Sequence, residues 1–220
     1  MKKITVVFLL ILLMAGAAFA ANRADVQAKA QEIAGEDARL TETDREGIFY
    51  EFEFSAKGSK ITVLMNGDSL TAILKETEFP GTGRAKTVKL TEADAAQAAL
   101  LSVPNGSVVY AAAEKDDGAA EWKVFVKTEA ALVQIELNAE TGAVSGIKEA
   151  YSANLISPEQ AITALSLASA NGEIEIREIS VDFDDDRARF VYDGEAVSGG
   201  KVFEFEVNAE TGSVVEWERD

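Results

Sequence analysis

The 220-residue chain contains no cysteine and no histidine, and it has only 3 prolines. The absence of cysteine excludes a disulfide framework, a thiolate nucleophile and every cysteine-ligated zinc, haem or iron–sulfur site. The absence of histidine excludes an imidazole metal ligand and a Ser-His-Asp relay. We therefore predict that the protein has no cofactor and no catalytic machinery of these kinds.

Positive charge is also scarce, because 21 Lys and Arg residues face 38 Asp and Glu residues, a formal net charge of −17 at pH 7. Such a charge argues against binding to the phosphate backbone of nucleic acids and to anionic membrane surfaces. Hydrophobic residues make up 47% of the sequence, which is enough for a core. The composition predicts a soluble acidic protein with an attraction to basic partners.

The first 20 residues have the features of a secretory signal peptide. A positive start, Met1-Lys2-Lys3, precedes an uncharged run at 4–19 that closes on the small-x-small pattern Ala18-Phe19-Ala20. A membrane anchor is the alternative, but the run is shorter than the roughly 20 residues that a spanning helix needs. We predict cleavage after Ala20 and a periplasmic or secreted mature protein. It would have no lipid anchor, because no cysteine follows the run, and no contact with the membrane after cleavage.

The remaining sequence repeats itself. The pentapeptide Asn-Ala-Glu-Thr-Gly stands at 138–142 and again at 208–212, and helix-start patterns at Thr91 and Ser157 precede the two copies. A weaker copy of the turn, Asn-Gly-Asp, begins at Asn66. Repetition at a fixed order indicates tandem structural units. The predicted organisation is a signal peptide at 1–20, a divergent unit at 21–80, a second unit at 81–150 and a third at 151–220.

Each unit is predicted to contain one helix followed by strands. Capping residues and apolar spacing predict helices near 25–34, 92–101 and 158–170. After each helix the hydrophobic period changes to two, as in 203–207, which is typical of antiparallel strands with one buried face. The predicted fold class is α+β, with three tandem units that each pack one helix on a small antiparallel four-stranded sheet.

The repeated unit resembles the PepSY domain family. A helix opened by Ser-x-Glu-x-Ala is found at Ser157, Glu159 and Ala161, and a strand that ends in Asn-Ala-x-Thr-Gly-x-Val covers 207–215. The second unit matches through Thr91, Ala95 and 137–144, and it departs at Ala93, where the family favours Glu. The first unit lacks Thr-Gly and is closer to the looser PepSY-like variety, which is similar in fold to β-lactamase inhibitory protein.

PepSY domains occur in propeptides of secreted metalloproteases and in exported bacterial proteins. The resemblance therefore implies an exported, non-enzymatic binding module that inhibits or regulates a protease. Because no protease domain follows in this sequence, such action is expected in trans. The expected partner is another secreted or envelope protein, with a protease as the specific candidate. The oligomeric state is left open.

Three apolar residues stand in phase with charged neighbours and are the predicted partner-binding residues: Phe49, Phe125 and Val191. If each helix covers only one face of its sheet, these side chains lie on the open face and form a partner surface. The alternative is that neighbouring units cover them.

An alternative function uses the acidic loop that contains Asp182, Asp184, Asp185 and Asp186, whose oxygens could bind Ca²⁺ or another ligand. The loop lacks the spacing of an EF-hand, which favours a solvated hairpin and predicts no metal site. Paired carboxylates for glycoside hydrolysis are a third possibility. No Asp or Glu stands in a clearly apolar stretch, so we predict that the protein is not an enzyme.

Overall fold

The computed structural model describes residues 22–116, 118–169 and 173–219, so the predicted signal peptide at 1–20 lies outside the described residues. Strands take up 51% of the described residues. The described elements, in chain order, are α1 (Arg23–Ala34), β1 (Arg39–Glu46), β2 (Phe49–Ala56), β3 (Ser59–Asn66), β4 (Thr71–Glu78), α2 (Glu92–Ser102), β5 (Ser107–Asp116), β6 (Ala119–Lys127), β7 (Leu132–Asn138), β8 (Val144–Ala150), α3 (Pro158–Ala168), β9 (Glu175–Asp184), β10 (Arg189–Ser198), β11 (Lys201–Asn208) and β12 (Val214–Arg219).

The three predicted helices are confirmed, and each begins at a residue that caps it. The side chain of Asn22 accepts a hydrogen bond from the first turn of α1. Thr91 with Asp94, and Ser157 with Gln160, form reciprocal capping boxes at the starts of α2 and α3. These starts are predictable because each cap involves residues no more than three positions apart.

The same turn joins the last two strands of each repeat. The side-chain oxygens of Asn66, Asn138 and Asn208 each accept hydrogen bonds from the backbone N–H groups two and three residues later. Gly142 and Gly212 then adopt positive φ angles of 72° and 74°. In the first repeat Leu70 takes this position with a φ of 57°, which glycine adopts at lower cost. The divergent first unit therefore keeps the turn without its glycine.

The expectation of three separate helix-plus-four-stranded-sheet units is wrong. Strands β1 to β8 form one eight-stranded sheet in the order β1-β2-β3-β4-β8-β7-β6-β5, and β9 to β12 form a second sheet in the order β12-β11-β10-β9. The join is the antiparallel pairing of β4 with β8, in which Glu76 lies opposite Lys148. Alternation shows which face of a strand is buried but not which edges pair, and two free edges tend to pair.

Helices α1 and α2 lie on the same face of the eight-stranded sheet. The cross-strand register places Val63, Lys75, Glu149 and Val133 in one row across β3, β4, β8 and β7. Val63 belongs to the core under α1, and Val133 belongs to the core under α2. The opposite face therefore carries no helix of the first two repeats, and we call it the open face.

The third repeat packs against this open face. Its core, which includes Leu165 of α3, Val181 of β9 and Tyr192 of β10, is continuous with Phe49 and Phe125 of the open face. One hydrophobic cluster thus joins the two sheets.

Within the part of the chain that the structure describes, no helix is both long and apolar enough to cross a membrane.

Candidate binding surface

Strand β9 presents its free edge to the open face. The backbone N–H of Ile179 donates to Glu114 Oε1 of β5 at 3.2 Å, and that of Val181 donates to Gln134 Oε1 of β7 at 3.0 Å. Further along β9, Asp182 forms an ion pair with Lys148 of β8 at 3.1 Å. Strand β9 therefore contacts β5, β7 and β8, and side chains of one sheet accept hydrogen bonds from the unpaired edge of the other.

A buried charged cluster lies where the two sheets meet. The Nζ atom of Lys123 is 2.9 Å from Glu114 Oε2 and 3.5 Å from Glu178 Oε1, although the Lys123 side chain is only 2% exposed. Burial raises the pKa of Glu114 to about 7, while the ammonium of Lys123 acts in the opposite direction. Burial alone would lower the pKa of Lys123, but Glu114 reverses the shift and raises it. One ammonium and one carboxylate are thus buried together, and a second carboxylate, that of Glu178, lies half-exposed beside them.

The structure covers the three predicted partner-binding residues. Phe49 is 8% exposed and packs edge-to-face on Phe183 of the third repeat, with ring centroids 5.3 Å apart. Phe125 is fully buried and packs on Tyr192 at 6.1 Å. Val191 is buried within the second sheet between its strand partners. A neighbouring unit therefore covers Phe49 and Phe125, whereas Val191 is buried within its own unit. Binding of a partner by these residues stays a prediction.

The open face is acidic at the edge of the third repeat and beyond it. One cleft of about 650 Å³ is lined by residues that include Glu53, Glu76 and Glu78. A second cleft of about 340 Å³ shares Glu76 with it and includes Glu51. Together the two linings contain seven acidic side chains and one basic residue, Lys60. We call Glu51, Glu53, Glu76, Glu78 and Glu136 the acidic face.

The acidic side chains of this face repel one another. Burial raises the pKa of Glu51, and the neighbouring Glu53 adds to the shift. Burial also raises the pKa of Glu76, with Lys148 opposing the shift and Asp182 and Glu136 adding to it. Crowded carboxylates that are partly desolvated generate a negative potential that attracts cationic groups. The acidic face is therefore suited to contact a basic protein surface.

The acidic loop proposed as a cation site is occupied by internal contacts. Although burial opposes it, hydrogen bonds from Arg187 lower the pKa of Asp184, and its Oδ2 atom lies 2.8 Å from Arg187 Nη1. Asp182 is bound to Lys148. Across residues 22–116, 118–169 and 173–219, no group of three or more acidic side chains is placed to hold a metal ion.

Sequence reasoning missed the buried cluster at Glu114 and Lys123. Alternation assigned Lys123 to the solvent side of β6, because its neighbours Trp122 and Val124 are core residues. The sequence does contain a signal of this burial. In β6 and β7 apolar residues point to both faces, and strands that are buried on both faces lose the alternation of apolar and polar residues.

Several solved structures are similar to this chain. The C-terminal domain of YpeB from Bacillus megaterium is 14% identical, with 91% of this chain and 98% of that chain covered and a TM-score of 0.34. A Clostridium difficile protein described as a lipoprotein is 16% identical, with 61% and 95% covered and a TM-score of 0.34. A BLIP-like protein from Bacteroides fragilis is 15% identical, with 61% and 90% covered and a TM-score of 0.27. No curated protein matches the chain.

The family model described as "Peptidase propeptide and YPEB domain", PepSY, matches residues 89–148 and 155–218. These two segments make up more than half of the chain. They contain the capping boxes of α2 and α3 and both Asn-Ala-Glu-Thr-Gly turns, the residues that carry the resemblance in the sequence. The chain belongs to the PepSY family.

Proposed function

We propose that this chain is an exported, non-enzymatic binding module that inhibits or regulates a secreted or envelope protease in trans. Two things support the proposal. The chain matches a family described by its peptidase propeptides. The sequence also lacks the cysteine and histidine on which most nucleophilic and metal-dependent hydrolases depend.

The observation that carries the proposal is the acidic face. It lies on sheet strands β2, β4 and β7, so its carboxylates are held by a rigid scaffold and not by loops. The same clefts contain apolar side chains, including Leu64, Leu74 and Phe79, beside the carboxylates. Apolar contacts next to charged groups are the usual composition of a protein-binding surface.

The charge of this face defines the partner. Seven carboxylates against one lysine in the two clefts would repel an acidic protein and attract a basic one. Long-range attraction of this kind raises the association rate and falls as salt is added. The proposed contact on the protease is therefore a surface or extended segment rich in Lys or Arg.

The proposal is tested by adding residues 21–220 to the purified secreted metallopeptidases of the producing organism and following cleavage of a peptide substrate. We expect saturable inhibition of at least one of them with one chain bound per enzyme. If every peptidase retains full activity, or simply degrades the chain as a substrate, the proposal is wrong.

A further inference from the structure

We propose that the third repeat is a proton-stabilised cover over the open face, docked more firmly at acidic than at alkaline pH. The cover consists of α3 and strands β9 to β12, and it meets the eight-stranded sheet through the free edge of β9. The inference concerns how the molecule itself opens and does not rest on the proposed protease binding.

The docking contacts along β9 are polar and largely hidden from water. Glu114 is 5% exposed, Lys123 2% and Gln134 1%. The bond from Ile179 N–H to Glu114 and the bond from Val181 N–H to Gln134 cross directly from one sheet to the other. Because these groups lose their water when the cover docks, their protonation state affects how firmly it stays docked.

Carboxylates outnumber cations around Glu114. Lys123 forms an ion pair with Glu114, and Glu178 contacts the same lysine. Glu121 lies opposite Glu114 in the sheet, and the charge of Glu136 also acts on Lys123. The remaining charged groups around the cleft beside it, from β5, β9 and β10, are Lys115, Glu175, Arg177 and Glu195. With acids in excess, the docked cluster retains a proton more readily than the undocked one.

The direction of the pH effect follows from this difference. Burial in the docked state raises the pKa of Glu114 from 4.5 to about 7, although Lys123 opposes the shift. In the undocked state the carboxyl is hydrated and titrates near its ordinary value. Protonation of Glu114 therefore stabilises the docked state fully below pH 4.5, and this stabilisation is lost as the pH rises through 7. Burial also raises the pKa of Glu76, which lies beside Asp182 of the cover, and this shift acts in the same direction.

Opening of the cover would expose aromatic residues. Phe183 of the cover lies over Phe49, and Tyr192 of the cover lies over Phe125. Rising pH should therefore expose Phe49 and Phe125 while the cores under α1 and α2, which belong to other clusters, remain intact.

Amide hydrogen exchange of Ile179 and Val181 tests the proposal, because both amides donate to side chains of the other sheet. Val181 is the cleaner probe, since its acceptor Gln134 does not titrate. After correction for intrinsic exchange, we expect its protection to fall about 30-fold between pH 5.5 and 8.5, given pKa values of about 7 docked and 4.5 undocked. The amide of Gly142, bonded to Asn138 within the second repeat, is the internal reference and should not change.

The matched variants are Glu114→Gln, which mimics the protonated carboxyl and keeps an acceptor for Ile179, and Glu129→Gln, which changes an exposed loop carboxyl. Glu114→Gln should remove most of the dependence above pH 6, and Glu129→Gln should leave it intact. Equal protection of Val181 at both pH values in the wild type, or the same dependence in Glu114→Gln, would overturn the proposal.

A direct titration covers the case in which Glu114→Gln does not fold. The side-chain carboxyl carbon of Glu114 in the unmodified protein is followed by NMR from pH 4 to 9. A midpoint near 7 together with the fall in Val181 protection supports the cover. A midpoint near 4.5 contradicts it.

Discussion

Glu114 and Lys123 form an ion pair inside the protein, with Oε2 and Nζ 2.9 Å apart and side chains only 5% and 2% exposed. The pair joins neighbouring strands of the eight-stranded sheet, and the same carboxylate accepts the N–H of Ile179 from the other sheet. Desolvation of two charges is costly, and the pair is stabilising only while both partners are present. The interface between the sheets therefore depends on both residues.

Replacement of Lys123 by Met leaves Glu114 buried without its cation. Because an unpaired buried carboxylate is strongly unfavourable, we expect the free energy of unfolding at pH 8 to fall by about 3–5 kcal/mol. Urea denaturation measures it, and the double variant Glu114→Gln with Lys123→Met should recover part of the loss. The control is Lys57→Met, whose partner Asp37 and the lysine itself are exposed, with an expected effect under about 1 kcal/mol. A loss below about 1 kcal/mol for Lys123→Met would show that the pair is not important for stability.

The turn glycine of the third repeat can be tested by adding a single methyl group. Gly212 has a φ of 74°, and a Cβ there would lie 3.5 Å from Ile156 Cδ1, an ordinary contact. Gly212→Ala should therefore cost only the backbone strain of an L-residue in this conformation, about 1 kcal/mol in thermal unfolding. Glu210→Ala in the same turn is the control, since Glu210 is exposed and only its backbone N–H donates to Asn208. Equal stability of Gly212→Ala and wild type would mean that the turn relaxes to a different conformation.

A feature of this fold can be predicted from the sequence when the residues that form it lie close together along the chain. The caps at Thr91 and Ser157 and the turns at Asn138 and Asn208 are predictable because their partners lie within three residues. The pairing of β4 with β8 is not predictable, because the strands are about 70 residues apart and the alternation of apolar residues does not indicate which strand lies next to which.

The open face shows the same limit at the candidate site. The phase of Phe49 and Phe125 places them on the side away from α1 and α2, but their burial depends on Phe183 and Tyr192 of a different repeat. Lys123 has the pattern of a solvent-facing residue and is buried by β9. Periodicity describes one strand at a time, and the second layer over a sheet is a property of the assembled chain.

Glu140 should make the segment before α2 sensitive to strong acid. Its carboxylate accepts hydrogen bonds from Lys89 Nζ, the backbone of Lys86 and the Thr87 hydroxyl, and these contacts lower its pKa to about 2. A lowered pKa means that the stabilisation is complete above pH 4.5 and is lost as the pH falls through 2. We expect wild type to be more stable than Glu140→Gln in urea at pH 7, with the gap closing towards pH 2.

The counterpart in the third repeat is the control for this experiment. Glu210 occupies the same position in its turn and is exposed, so Glu210→Gln should match wild type at every pH. If the difference in stability between wild type and Glu140→Gln stays constant from pH 7 to pH 2, the charged contacts of Glu140 do not stabilise this segment.

In the proposed function a basic partner binds the acidic face. The most direct measurement compares the affinity of an inhibited peptidase, by calorimetry at two salt concentrations, for two charge-matched double variants. Glu51→Lys with Glu78→Lys changes exposed residues of the acidic face, and Glu36→Lys with Glu129→Lys changes exposed loop residues elsewhere. We expect the first pair to weaken binding at least ~10-fold and to reduce its salt dependence, and the second to weaken it less than ~3-fold. Equal affinities of the two variants would show that the partner binds another surface.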